Sequence, residues 1–368
     1  MKKFFILVLF FLLATSYFSQ EMKFGIRISQ NNFSVAMPFL EKYVQEKDKA
    51  ILLTIELNEG WEKEDLSSLK DVVFLATKSN YIVNVIVPLP KNSYEEEQLL
   101  SLVSLSENLK NVVNSFEIIV KKEDFKEDNS EKVIFQLKRI SVSLRGESGA
   151  KIYLGPVDKD YLEFLEPLYN DDFIAYVDGY FTFDVDSSGE PSSEVLEFLQ
   201  KYHLGSPLRL HLKKVKTALG AQSNTISSLA KGGEEVDIEV ENLEEGIKGL
   251  TYLKKILPKT MLPGFAVSGI QIKEGEKLRF DIALLPFLDP EEMVQGFYRA
   301  PTVAKSSPNN VVLHLPTSDI TNPVSFKMPE GEEKKLGYTA DQKREVCDIE
   351  VAWDGKPQLI LFERLKTG

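Results

Sequence analysis

The sequence predicts a (β/α)8 TIM barrel followed by a C-terminal antiparallel β-sandwich. Three observations carry that expectation. Eight extended apolar runs alternate with helical patterns at intervals of about 30 residues, the size of one βα unit. The first strand-to-helix turn, RISQNNFS, has no glycine, so it lacks the phosphate-binding turn of a doubly wound sheet. After Pro258 the pattern changes to alternating strands separated by turn-rich segments.

The expected barrel strands are KFGIRIS (23–29), AILLTIEL (50–57), YIVNVIVPL (81–89), SFEIIVK (115–121), AKIYLGPV (150–157), FIAYVDGYFTF (173–183), PLRLHLK (207–213) and VDIEVE (236–241). Helix patterns fall over 35–47, 62–79, 94–110, 130–145, 159–169, 191–202 and 243–257, with apolar residues three and four apart. In 94–110, Leu99, Leu100, Val103, Leu105 and Leu109 gather mostly on one side, opposite Glu95, Glu96 and Glu97. Farther on, LRFDIALL and VCDIEVAW alternate apolar with other residues, and NVVLHLP and PQLILFERL extend the strand-rich set. The expected domains are a signal peptide over 1–19, the barrel over 20–260 and the sandwich over 263–368.

The opening segment, MKKFFILVLFFLLATSYFSQ, has two lysines, an apolar run and then small polar residues. This is the pattern of a Sec-type signal peptide and predicts export to the periplasm or beyond, with no membrane attachment after cleavage; an uncleaved anchor is the alternative reading. The apolar run is shorter than the roughly 20 residues a membrane span needs. Cys347 is the single cysteine, so stability rests on the core and not on internal disulfides. With 56 acidic and 44 basic residues the formal net charge is −12, which argues against nucleic acid and anionic membrane surfaces as partners.

Function is sought at the C-terminal ends of the strands, where barrels of this kind place their sites. Strand two ends in IELNEGW, so Glu56, Asn58, Glu59 and Trp61 can reach the mouth. They could hold sugar hydroxyls and stack on a ring. Alternatively the acids start a helix, where they suit its positive end, and Trp61 packs beneath the loop; this second reading is favoured. Strand six offers Tyr180, Phe181 and Phe183 as an aromatic platform, of which the pleat allows at most half to point inward. DVDSSGE, from Asp184 to Glu190, resembles the start of a calcium loop, but the twelfth position is Val195 where a bidentate Glu is required. A turn capped into a helix accounts for the same residues.

In strand eight, Asp237, Glu239 and Glu241 share one face. Ile238 and Val240 are expected to fill the barrel, which puts these acids outside with Glu241 nearest the rim. His203, His211 and His314 are scattered and form no metal-binding pattern. His211 in strand seven is a candidate for the barrel interior, more as a satisfied buried histidine than as a ligand. No phosphate loop, dinucleotide fingerprint or nucleophile elbow is present, so no metal or cofactor is expected.

Residues 116–157, FEIIVKKEDF…VIFQLKRISVSLRGESGAKIYLGPV, resemble a block of the retaining (β/α)8 glycoside hydrolases, xylosidase-like branch. There strand four ends in a pattern like E-I-W-N-E-P and the chain runs on into "akiylgp". FLEPLYNDDFIAYVDGYFTF and SPLRLHLKKV resemble the next blocks. The resemblance implies carbohydrate, or another envelope protein, as partner. Glu117, from this block, joins Glu56, Asn58, Trp61, Tyr180, Phe183 and His211 as the candidate ligand-binding residues.

The resemblance places Lys121 at the acid/base position and Leu212 at the nucleophile. Neither can play its part in a mechanism that needs two carboxyl groups about 5–5.5 Å apart. The expectation is therefore a non-catalytic barrel. An active hydrolase would have to draw relocated acids from Glu59, Glu123, Asp184 and Glu241.

Overall fold

The computed structural model describes residues 20–21, 23–43, 50–89, 96–120, 130–155, 162, 165–166, 168, 172–185, 193–202, 209–230, 235–257, 260–261, 265–273, 279–284, 302–307, 310–352 and 358–364. The segment 1–19, Lys121, Glu123 and His203 lie outside them.

Eight parallel strands form a closed barrel. They are β1 (Lys23–Ser29), β2 (Leu52–Glu56), β3 (Ile82–Pro88), β4 (Ser115–Ile119), β5 (Lys151–Gly155), β6 (Gly179–Val185), β7 (Arg209–Val215) and β8 (Glu235–Val240). The ring closes where β1 pairs with β8, Lys23 opposite Glu235 and Arg27 opposite Glu239. Helices α1 (Phe33–Lys42), α2 (Ser67–Lys78), α3 (Glu96–Asn108), α4 (Ser130–Ser148), α5 (Ser193–Tyr202), α6 (Ala218–Ala230) and α7 (Leu243–Ile256) connect them. Expected strand six began at 173; Phe173–Tyr176 is instead a 3-10 turn entered through Asp172 in a left-handed conformation, and β6 starts at Gly179.

The described strand side chains are apolar on the outer face and largely polar toward the lumen, where alternation also places Leu52 and Ile86. Phe24, Ile26 and Ile28 on β1, Leu53 and Ile55 on β2, Phe116 and Ile118 on β4, and Leu210 and Leu212 on β7 form the buried outward set. Alternation then turns Lys23, Arg27, Thr54, Asn84, Ser115, Glu117, Arg209, His211, Glu235 and Asp237 inward. This differs from the branched aliphatic filling usual for such barrels. It also reverses the expectation for β8. Val236 and Ile238 belong to the outer core, and Asp237 and Glu239 face the lumen. The reason is charge: β8 runs between β1 and β7, whose inward residues are basic, so its acids find partners only on that side.

The two-residue strand Gln20–Glu21 pairs with Thr260–Met261. The C-terminal region holds two antiparallel sheets. One contains β9 (Phe265–Lys273), β10 (Arg279–Leu284), β13 (Ile320–Lys327), β14 (Glu333–Lys335) and β17 (Gln358–Arg364), in the order β10-β9-β17-β13-β14. The other runs β11-β12-β16-β15, from β11 (Thr302–Ser307), β12 (Asn310–Leu315), β15 (Gly337–Asp341) and β16 (Val346–Ala352). Contacts divide the chain into one unit of 23–228 with 233–255 and another of 1–22, 229–232 and 256–368.

Candidate functional site

The lumen is organised in levels from the N-terminal to the C-terminal ends of the strands. At the lowest, Glu235 on β8 takes Lys23 Nζ at 3.1 Å and Arg209 Nη2 at 2.7 Å on the same oxygen. The Arg209 guanidinium lies 3.2 Å from the centre of the Tyr153 ring. Burial raises the Tyr153 phenol far above its ordinary range and lowers Arg209, which the Glu235 carboxylate opposes.

At the middle level His211 stands between two carboxyl groups. Its Nδ1 is 2.6 Å from Asp237 Oδ1 and its Nε2 is 2.8 Å from Glu117 Oε2, with all three side chains at zero exposure. Asp237 Oδ2 accepts a 2.6 Å bond from Thr54 Oγ1. On the neighbouring strands Ser115 Oγ donates to Asn84 Oδ1 at 2.6 Å.

Burial alone would discharge the imidazole. The charges of Asp237 and Glu117, and the bonds to them, outweigh it and raise His211 to about 9. Burial also drives Glu117 upward, only partly offset by His211. For Asp237 burial is overcome by the charge and bond of His211, by Arg27 and by the Thr54 bond, so its carboxyl lies below its ordinary value. The group is an imidazolium donating from both nitrogens to two acceptors, with Glu117 the more basic of the acids. It is closed to substrate on every side and acts as a brace between β4, β7 and β8.

Among the described residues, the C-terminal rim is solvent-exposed beside β1, β2 and β8. Arg27 Nη2 lies 3.7 Å from Glu239 Oε2 and Arg27 Nε 4.0 Å from Glu56 Oε2. The arginine is 9% exposed, while the two acids are 38% (Glu56) and 43% (Glu239) exposed. Beside them a cavity of about 320 Å³ is lined by Arg27, Ser29, Asn32, Val35, Phe39, Glu239, Glu241 and Asn242, among others. The loop after β1 is held by its neighbour: Asn58 N donates to Gln30 Oε1 at 2.8 Å, and Asn58 Nδ2 to Asn31 Oδ1 at 2.9 Å.

The sequence-derived candidates thus separate. Glu56 reaches the rim beside Arg27, and Glu241 lines the cavity. Asn58 ties two loops together, and Glu59 is exposed. Trp61 is 1% exposed and donates from Nε1 to Pro88 O at 2.9 Å, beneath the loop. Glu117 and His211 belong to the sealed middle level. Leu212 is buried in the outer core, so the inward residue of β7 at this height is His211. Tyr180, Phe183 and Asp184 lie along β6 with side chains outside the described set, as do Lys121 and Glu123 entirely.

Sequence reasoning missed Arg27 and misplaced Asp237 and Glu239. The signal lay in register: basic residues at alternate positions of 23–27 and 209–213, and acidic ones at alternate positions of 235–241. Among the described residues, no three His, Cys, Asp or Glu side chains are grouped to hold a metal ion. No described helix is long and apolar enough to cross a membrane.

No family model matches the chain, and no curated protein matches it. Solved structures are distantly similar to it. α-Galactosidase I from Mortierella vinacea is 8% identical, over 95% of this chain and 98% of that one, with a TM-score of 0.45. An α-amylase from H.orenii is 10% identical, over 94% and 100%, also at 0.45. An O-GlcNAc hydrolase mutant from Thermobaculum terrenum is 14% identical, over 65% of this chain, at 0.43. The chain spans 58% of the length of that hydrolase. At these identities and TM-scores the likeness is distant and says nothing of activity.

Proposed function

We propose that the chain is an exported, glycoside-hydrolase-like barrel without glycosidase activity that binds a carbohydrate at the C-terminal rim. One observation carries the non-catalytic part. The two inward carboxyl groups at the middle level of the described lumen, Glu117 and Asp237, are both committed to His211 at zero exposure. A retaining mechanism needs one carboxylate free to attack and one acid free to trade a proton. Strand β7, the source of the nucleophile in the family the sequence resembles, contributes Arg209 and His211 to the lumen and has no acid between 207 and 215.

The rim cavity supports the carbohydrate part. Carboxylates and side-chain amides stand beside the apolar Val35 and Phe39, the mixture that matches hydroxyls on a sugar's edge and C–H groups on its face. A second reading rests on Glu56 and Glu239, two partly exposed carboxylates on either side of one guanidinium. They would be the acids of an active hydrolase with relocated chemistry.

The test is a glycan array run beside an aryl-glycoside panel on the protein lacking residues 1–19. Binding without turnover is expected. Turnover abolished by Glu239→Gln or Glu56→Gln alone would establish the second reading. Export is tested by fractionating cells that express the full chain, with and without 1–19; retention of both forms in the cytoplasm would remove that part of the proposal.

A further inference from the structure

We propose that the middle level of the lumen binds an ordered internal water, held between Asn84 on β3 and Glu117 on β4. The site lies below the rim and does not depend on what binds there. Two buried, unpaired polar atoms define it. Asn84 is 1% exposed and Glu117 0%. Asn84 Nδ2 and Glu117 Oε1 are each buried with no hydrogen-bond partner in the protein. The other end of each group is engaged: Asn84 Oδ1 accepts from Ser115 Oγ at 2.6 Å, and Glu117 Oε2 lies 2.8 Å from His211 Nε2.

Those bonds are parts of a polar chain around the lumen. Thr54 donates to Asp237, His211 bridges Asp237 and Glu117, and Ser115 donates to Asn84. Thr54 is paired with Asn84 across β2 and β3, and Asn84 with Ser115 across β3 and β4. Glu117 stands two residues beyond Ser115 on β4, so it faces the same side. One strand spacing and a two-residue rise separate the Cα atoms of Asn84 and Glu117 by about 8 Å. Their side chains are diagonal neighbours on one face, close enough for a single small molecule to join them.

The chemistry of the pair selects that molecule. A carboxylate oxygen rejects an anion, and an amide N–H rejects a cation. An apolar molecule satisfies neither. Water accepts from the amide and donates to the carboxylate with the same atom at the centre of both bonds. Buried polar atoms that protein groups leave unpaired are commonly closed in this way.

The experiment is a high-resolution crystal structure of the protein, inspected at these two atoms. The expected result is a water peak within about 2.7–3.2 Å of both Asn84 Nδ2 and Glu117 Oε1. A direct bond between the two, a peak touching only one of them, a peak coordinated as a metal ion, or no peak overturns the site. Oxygen-17 relaxation dispersion gives the solution readout, because a water sealed in the lumen exchanges slowly enough to be counted. Asn84→Leu combined with Ser115→Ala removes the amide donor together with the hydroxyl that bonds to it, and thermal melts establish that the variant is folded. It should show one long-lived water fewer than the parent. An unchanged count in a folded variant overturns the proposal, and the crystal structure of the parent decides it if the variant does not fold.

Discussion

Asp237 and His211 sit opposite each other in the pairing of β8 with β7, and their side chains meet inside the barrel at 2.6 Å. With Glu117 at 2.8 Å on the other ring nitrogen, a cation is held between two acids where water does not reach. Exchanging such a group for apolar residues is often neutral, but removing one member leaves charge uncompensated. In the middle of this barrel, polarity is sustained only as a set.

His211→Gln should therefore be severe. It leaves Asp237 and Glu117 buried without the cation between them, at a cost of about 3–5 kcal/mol. Urea unfolding followed by circular dichroism measures it. A loss under about 1 kcal/mol would mean the network contributes little.

The same group should make stability fall at alkaline pH. The folded imidazole is raised to about 9 from its ordinary value of 6.5, so the folded state binds its proton more tightly than the unfolded chain. Its stabilisation is complete below pH 6.5 and is lost as pH rises through about 9. The total is on the order of 3 kcal/mol. Asp237, held below 3.8, works at the other end: its stabilisation is present above that value and disappears on further acidification. Calorimetric melts from pH 6 to 10 should show the alkaline decline in the parent and a flatter profile in a folded His211 variant.

Gly25 has no room for a methyl group. A Cβ built there would lie 1.6 Å from the carbonyl oxygen of Leu52 on the adjacent strand. Backbone must move to admit it, in a closed ring of eight paired strands. Gly25→Ala should cost about 3 kcal/mol or more, or prevent folding. Soluble expression and melting temperature decide it; a variant within a few degrees of the parent would show that the ring yields locally.

The barrel was legible because the outer faces of its strands are apolar without interruption and the βα period repeats. The direction of the charged residues was not. Strands of a closed parallel barrel are buried on both faces, so alternation in 236–241 says only that acids and aliphatics lie opposite. Which set turns inward depends on Lys23, Arg27 and Arg209, far away in the chain. Helix α6 was also absent from the expected elements. Its sequence, ALGAQSNTISSLA, is rich in Ser, Thr, Asn and Gly, which lower helix propensity and blur the apolar stripe; Ala221, Ile226 and Leu229 nevertheless bury. At the rim, Glu56 and Glu241 could be named from strand ends, but Arg27 could not, because it precedes the end of β1 by two residues and shows its role only beside Glu239.

Trp61 separates a packing role from a sugar-binding one. Its indole is 1% exposed and donates to Pro88 O at 2.9 Å, which fastens the segment after β2 to the end of β3. Trp61→Phe keeps an aromatic ring but removes the donor and part of the packed area, leaving a buried carbonyl without that bond. The expected cost is about 1–3 kcal/mol of stability, with glycan affinity unchanged within twofold. Glu239→Gln should behave oppositely, altering stability little and binding strongly, because its acid is a partly exposed rim group. Running melts and titrations on both variants checks the pair. A Trp61→Phe protein that keeps its melting temperature but loses glycan would move the binding surface from the cavity beside β1 and β8 to the loop after β2.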